Sequence, residues 1–370
     1  MTRFAIVGAG WRSECFLRVA GALPERFECV AVVARRPAVR AEIAGRFGVL
    51  TLGSLDELDD VGADFVVTSV AAAASADVIT HVAEHGHPVL AETPPGLDRT
   101  QLNALLDLVT HGAMVQVAEQ YQFQPLHAAR LAVIRSGSLG DITSAQLSVA
   151  HGYHGVALVR AALGCGLAPA SVTTDRFDSP ISVGPGRDGP PPSPAIDTSV
   201  ESLSILRIGR QLGVIDWTED QYFSWIRGLR YLVRGTRGEI DGHEVRHLVD
   251  HATPVRQTLR RWDVGHEGNL EGYSHRGYLL GDRWVYRNPF EGARLSDDEI
   301  AVASVLAGMA DHVTGGPPVY SLADAAHDTL IAMAMDEAVR TASAVTVEPP
   351  VLSASNEVAG PMKQTGRPAG

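Results

Sequence analysis

The sequence has almost no lysine. Of its 31 basic side chains one is a lysine, Lys363, so the other 30 (31 − 1) are arginines. Chemistry that needs an active-site ammonium is excluded unless the C-terminal segment folds back to supply it; Schiff-base formation and a Walker-type phosphate lysine go with it. Cysteine is scarce as well. Cys15, Cys29 and Cys165 are odd in number, far apart and form no CxxC pair, which argues against a disulfide framework or a cysteine zinc site. No apolar run approaches the ~20 residues of a membrane helix. Neither an HExxH-type ligand spacing nor a glycosidase carboxylate pair is present, so no metal is expected. Positive charge is in deficit, 31 basic against 43 acidic residues for a net charge of −12, which argues against nucleic acid as the main partner. The N-terminal MTRFAIVGAG lacks a signal-peptide layout, and the cytoplasm is the expected location.

What is present is an ordinary globular composition, 45% hydrophobic and 20% charged, over 370 residues. That is material for two domains or one large one. Up to about residue 120, short apolar runs alternate with helical patterns. Strands are expected at 3–8, 29–34, 64–70, 88–92 and 113–119, and helices at 12–22, 37–47, 78–84 and 100–109. Near-continuous apolar strands alternating with helices predict a parallel sheet covered on both faces. Beyond residue 125 the pattern changes. A helix (125–136), a strand (142–150) and a short helix (154–163, stopped by Gly164) precede strand-like runs at 200–208, 211–217 and 229–234 and a turn–strand–turn at 235–242. Residues 179–194, rich in proline and glycine, are expected to be irregular, either a lid or an arm on a partner subunit. Ser296 and the acids after it start a helix to about 313, and another runs from about 322 to 343. Residues 351–370 are expected to be disordered.

The strongest motif is Gly8-Ala9-Gly10-Trp11-Arg12-Ser13, which follows a strand and opens a helix at the start of a βαβ unit. Gly8 allows the tight turn, and Gly10 lets the backbone approach a pyrophosphate seated on the helix N-terminus. The second strand ends in Ala34-Arg35-Arg36. An acid there would bind a ribose 2′-hydroxyl and mark NAD; two guanidiniums suit a 2′-phosphate and favour NADP, or else are solvated at a helix start.

These residues belong to a wider resemblance. The fingerprint at 8–13, the blocks HGHPVLAETPPGLD (85–98) and AEQYQFQPLHAARLAVIRSGSLGDI (118–142), the helix from His154 to Gly164, the GTRGEI turn (235–240) and the last helices together resemble the Gfo/Idh/MocA oxidoreductases, over about residues 3–347. The resemblance implies an α/β protein: an N-terminal doubly wound Rossmann domain (1–120) and a C-terminal α+β domain (121–350) with a large, mostly antiparallel sheet. That sheet would carry a substrate wall and an oligomer interface, in a homodimer or homotetramer. The implied dinucleotide site comprises residues 8–12, Arg35, Arg36, Ser69, Glu92, Thr93 and Gln120.

The departures from the family pattern are specific. Where the family has Glu-Lys-Pro, this chain has Glu92-Thr93-Pro94, and a threonine has no useful acid–base pKa. Where the family has Asp-x-Gly-x-His, Ala150 replaces the aspartate while His154 is kept. Gln120 and Gln122 stand where an Asn or His and an Arg are common. His154 is therefore the candidate general base, unless it is only a helix-N-terminal histidine bonded to backbone; an imidazole titrates near operating pH. His151, Tyr153 and Glu119 are its candidate catalytic neighbours. Gln122, Asp197, Trp217 and Tyr222 are candidate substrate contacts, the run 216–225 fitting sugar recognition or a subunit interface equally well. The expected activity is NAD(P)-dependent hydride transfer with a sugar, cyclitol or related polyol. Two alternatives stay open: transient oxidation on a retained cofactor with epimerisation, elimination or glycoside cleavage, and a non-catalytic dinucleotide-binding regulator.

Overall fold

The computed structural model describes residues 1–186, 189–265 and 273–350. Lys363 and the expected tail 351–370 lie outside the described residues.

The first sheet takes its strands from the apolar runs of the N-terminal segment. They are β1 (Thr2–Val7), β2 (Phe27–Val33), β3 (Leu50–Leu52), β4 (Phe65–Thr68), β5 (Val89–Ala91) and β6 (Val115–Val117), all parallel, in the order β3-β2-β1-β4-β5-β6. Strand alternation sends the side chains of β1 into two cores. Phe4 and Ile6 meet α1 (Trp11–Ala22), while Ala5 and Val7 pack in the core that holds Ile79 of α3 (Ala72–Glu84) and Leu102 and Leu105 of α4 (Arg99–Thr110). Burial on both faces is why these strands read as unbroken apolar runs. The strand β3 was not expected; its three residues sit at the sheet edge, too short to leave a pattern. Helix α3 starts six residues earlier than the 78–84 expected, through an alanine run that has no polar face to mark it.

After α2 (Pro37–Phe47) and α5 (Pro125–Arg135), the second sheet is built from β7 (Ile142–Ser148) onward. Its members include β8 (Ala170–Ser182), β9 (Ile196–Ile208), β10 (Gln211–Thr218) and β11 (Arg230–Gly235), and the described residues give it eleven strands. Pairing is antiparallel except between β7 and β10. Helix α6 (Gly152–Leu163) and helix α8 (Leu322–Thr341) pack together over one face. Helix α7 (Asp297–Val313), by contrast, returns to the first sheet: Ile300, Val302 and Leu306 join the core of Phe4 and Phe16.

The proline-rich segment corrects an expectation. Residues 179–182 are not irregular but finish β8, with Pro180 opposite Thr198 and Ser182 opposite Ile196. The outer neighbour of β8 reaches only Ala170–Val172, so Pro180 lies on an open edge, where a missing N–H is tolerated. The two thirteen-residue strands form a long hairpin. Among the described residues no helix is long and apolar enough to cross a membrane.

Candidate active site

The glycine turn between β1 and α1 is fixed by its neighbours. Gly8 has φ +118°, and a Cβ built on it would lie 1.9 Å from the backbone oxygen of Ser69 at the end of β4. Only glycine lets these two strand ends close. Gly10 caps α1 with no side-chain hydrogen bond, and its Cβ direction is open space. The helix therefore presents its first backbone N–H groups, and the positive end of its dipole, to a cavity of about 1110 Å³. Gly8, Ala9, Gly10, Trp11, Arg12 and Ser69 line it, as do Arg35 and Arg36. Arg40 Nη1 donates to the carbonyls of Ala34 and Arg35 at 2.9 and 3.0 Å, holding the strand end in shape while Arg35 and Arg36 stay exposed at the rim.

Arg12 is less available than its place in the fingerprint implies. Its Nε donates to Glu92 at 2.8 Å and its Nη1 to Asp298 of α7 at 3.0 Å. Glu92 is thus a partner of Arg12, beside the glycine turn. With two carboxylates against one guanidinium, the charge of Arg12 is already matched within the protein. Arg12 Nη2, buried and without a hydrogen-bond partner, is the one part of that side chain left to a ligand.

A second cluster forms where the chain leaves β6 and meets α6. Glu119, 2% exposed, puts Oε2 at 2.5 Å from Nδ1 of His154, itself 7% exposed. The backbone N–H of Tyr121 donates to the other oxygen of Glu119 at 3.1 Å. The rings of Tyr121, Tyr153 and His151 stand 4.7, 4.5 and 5.2 Å from that of His154. His151 is the N-cap of α6, and its Nδ1 lies 2.5 Å from Tyr222 Oη, which also accepts its backbone N–H at 3.3 Å. Burial, reinforced by the neighbouring His154, pulls the His151 imidazole down to about 4 despite the opposing charge of Glu119, so it is neutral near pH 7 and accepts from the Tyr222 hydroxyl. Burial raises the phenol of Tyr153 to about 12, against a hydrogen bond to Thr93 that favours the phenolate.

Two cavities adjoin this cluster. One, about 700 Å³, is lined by His151, Tyr153, Thr198, Trp217, Glu219 and Asp220 among others. Trp217 and Tyr222 meet edge to face with centroids 4.7 Å apart. The other is only about 10 Å³ and lies between Thr93, Glu119, Tyr153, Tyr320 and Asp328. There burial pushes the Asp328 carboxyl up to about 7, although Arg160 Nη1 donates to it at 2.5 Å.

The structure brings together His154, Glu119, Tyr153, His151, Thr93, Trp217 and Tyr222. It does not bring in Asp197. On β9, Thr198, Val200 and Ser202 face the cavity by strand alternation, while Asp197 is exposed and accepts the N–H of Thr198 at 2.8 Å. Gln122, in the short helix Tyr121–Phe123, is half-buried and lines neither large cavity; Gln120 is buried beside it with its Oε1 unpartnered. Asp216, in the aromatic run, pairs with Arg230. Missed in the sequence were Tyr121, Tyr320, Arg160 and Asp328. Arg160 and Asp328 are 168 positions apart and carry no local motif.

The Gfo/Idh/MocA profile, described as an oxidoreductase family with an NAD-binding Rossmann fold, matches residues 2–119. No curated protein sequence matches the chain. Solved structures share its fold over nearly its whole length. Levoglucosan dehydrogenase in complex with NADH and levoglucosan is 16% identical, with a TM-score of 0.68, and the match covers 94% of this chain and 99% of that one. An oxidoreductase from Agrobacterium radiobacter in complex with NAD+, L-tartaric acid and magnesium is 16% identical at a TM-score of 0.66, covering 94% and 98%. GenD2 from gentamicin A biosynthesis, in complex with NAD, is 19% identical at 0.63, covering 94% and 96%. Residues 2–119, then, match the Gfo/Idh/MocA oxidoreductase family model, and the fold that the chain shares with these solved structures continues through its second sheet.

Proposed function

We propose that the protein is an NAD(P)-dependent dehydrogenase of a sugar, cyclitol or related polyol, with His154 as its general acid–base. The His154–Glu119 pair carries this reading. A carboxylate on Nδ1 fixes the tautomer, so Nδ1–H donates to Glu119 and Nε2 keeps its lone pair. When a carbinol is oxidised, Nε2 takes the hydroxyl proton; in reduction it returns it. Glu119 stabilises the imidazolium, and burial strengthens that interaction. Tyr153, hydrogen-bonded to Thr93 and beside His154, is suited to hold the reacting oxygen. Trp217, Thr198 and Asp220 supply an apolar face and hydroxyl-binding groups in the 700 Å³ cavity.

The turn at 8–12 fits a dinucleotide pyrophosphate, since it opens α1 without a side-chain cap and a Cβ at Gly10 would meet only open space. A bound nicotinamide supplies the hydride acceptor and donor. Arg35 and Arg36, with no acid at the end of β2, favour NADP over NAD. We further propose residues 1–120 and 121–350 as dinucleotide-binding and substrate domains, and a homodimer or homotetramer built on the large sheet.

The test follows reduced-nicotinamide absorbance with both cofactors over a panel of polyols and keto-sugars. His154→Ala is expected to lower kcat/KM on the active substrate by about 10²–10⁴. An unchanged rate would overturn the assignment.

A further inference from the structure

We propose that Asp56, His81 and His85 form a binding site for a divalent transition-metal ion, Zn2+ foremost, on the outer wall of the dinucleotide cavity. The two histidines are four residues apart at the end of α3, hence on one face of it, and their rings lie 4.3 Å apart. Asp56 comes from a different element, the short helix Leu55–Asp60 after β3. One ligand atom from each residue lies within 4.8 Å of the other two.

Details beyond proximity point to a ligand. His85 Nδ1 is 2.7 Å from the backbone oxygen of His81. Donation to that carbonyl puts the proton on Nδ1 and leaves the Nε2 lone pair, which is the form and support of a metal-bound histidine. His81 Nε2 is buried and has no hydrogen-bond partner; Asp56 Oδ1 lies 3.6 Å away. Asp56 is itself steadied, its Oδ2 accepting from Ser54 Oγ at 3.0 Å. An ion bonded at about 2.0–2.2 Å needs its ligands drawn together by roughly an ångström. Asp56, with an exposed side chain, has the freedom to move that far.

Two imidazoles and one carboxylate select zinc-like ions over magnesium or calcium, which prefer all-oxygen sets. Water would complete the coordination. Because Asp56 and His81 also line the dinucleotide cavity, the ion would clamp α3 to the turn after β3 and stiffen that wall. The site is separate from the His154 cluster and needs no turnover to be detected.

The experiment is calorimetry and thermal melting of the untagged full chain with Zn2+, with Mg2+ as the contrast. His85 is the residue to change, since it is exposed and lines none of the cavities above. Wild type is expected to bind one Zn2+ per chain and to melt higher with it, with Mg2+ giving neither effect. His85→Ala is expected to weaken Zn2+ binding by about tenfold or more, and His85→Gln to do the same. Absence of Zn2+ binding in the wild type, or equal affinity in all three proteins, overturns the proposal; the second result would place the ion elsewhere, for example at His151 and His154.

Discussion

The cavity at the glycine turn and the His154–Glu119 cluster are assembled in opposite ways. The cavity is made by contiguous pieces of chain, the turn at residues 8–12 and the strand ends at Arg35–Arg36 and Ser69. Its polar lining is mostly backbone at the turn and the exposed guanidiniums of Arg35 and Arg36. The cluster is made by side chains from distant segments, Thr93, Glu119, Tyr153, His154 and Tyr222, and is largely buried. Local chain geometry suffices to hold a phosphate. Proton transfer at a chosen atom needs a carboxylate and an imidazole 35 positions apart held at 2.5 Å, which only tertiary packing provides.

The two glycines of the turn give the sharpest way to break this contrast. Gly8→Ala meets the Ser69 carbonyl in a left-handed conformation and is expected to cost at least about 2 kcal/mol, read as a lower Tm in the absence of any ligand. Gly10→Ala, in open space at φ −87°, is expected to leave Tm nearly unchanged and weaken only dinucleotide binding. Equal melting of the two variants would remove the distinction between a packing glycine and a recognition glycine.

The guanidiniums come next. Replacing both Arg35 and Arg36 by alanine is expected to weaken NADP binding by about 10–100-fold, from lost charged hydrogen bonds. NAD should be affected far less. If both dinucleotides lose affinity equally, the rim does not read the 2′ position.

The smallest effect concerns pH. His151 is held at about 4 in the folded protein against an ordinary value near 6.5. Between those values the unfolded chain binds more protons than the folded one, so this residue makes stability rise with pH from about 4 to 6.5 and adds no slope above. His151→Asn is expected to flatten that part of the stability curve in denaturant melts, while leaving the region above pH 7 as it was. His127, fully buried and pulled down to about 3 by burial and the charge of Arg130, adds to the same acid slope, which the variant retains.

Much of the fold was legible because alternation and the glycine turn are local. The parallel strands buried on both faces, β1 above all, read as unbroken apolar runs, and Gly8 and Gly10 announced the first crossover. The strand β3 and the full length of β8 escaped, since three edge residues carry no period and Pro180 resembles a break until its open edge is known. The site was legible in part. His154 was named from the family pattern, His151 and Tyr153 as its neighbours in sequence, and Glu119 as a charge able to orient an imidazole. The pairing of Glu92 with Arg12, and the exposed position of Asp197 set by the parity of β9, could not be read from the sequence.

By itself, the sequence determined the kind of cofactor chemistry open to this protein: a glycine turn opening a helix, two arginines after the second strand, and no lysine for the position held by Thr93. Tertiary structure alone decided which carboxylate meets which basic side chain. Glu92 and Asp298 close on Arg12, Asp328 on Arg160, and Glu119 is left for His154. The physical reason is that a charge pair is set by distance and burial in space, and chain separations of 35 to 286 residues carry no trace of either.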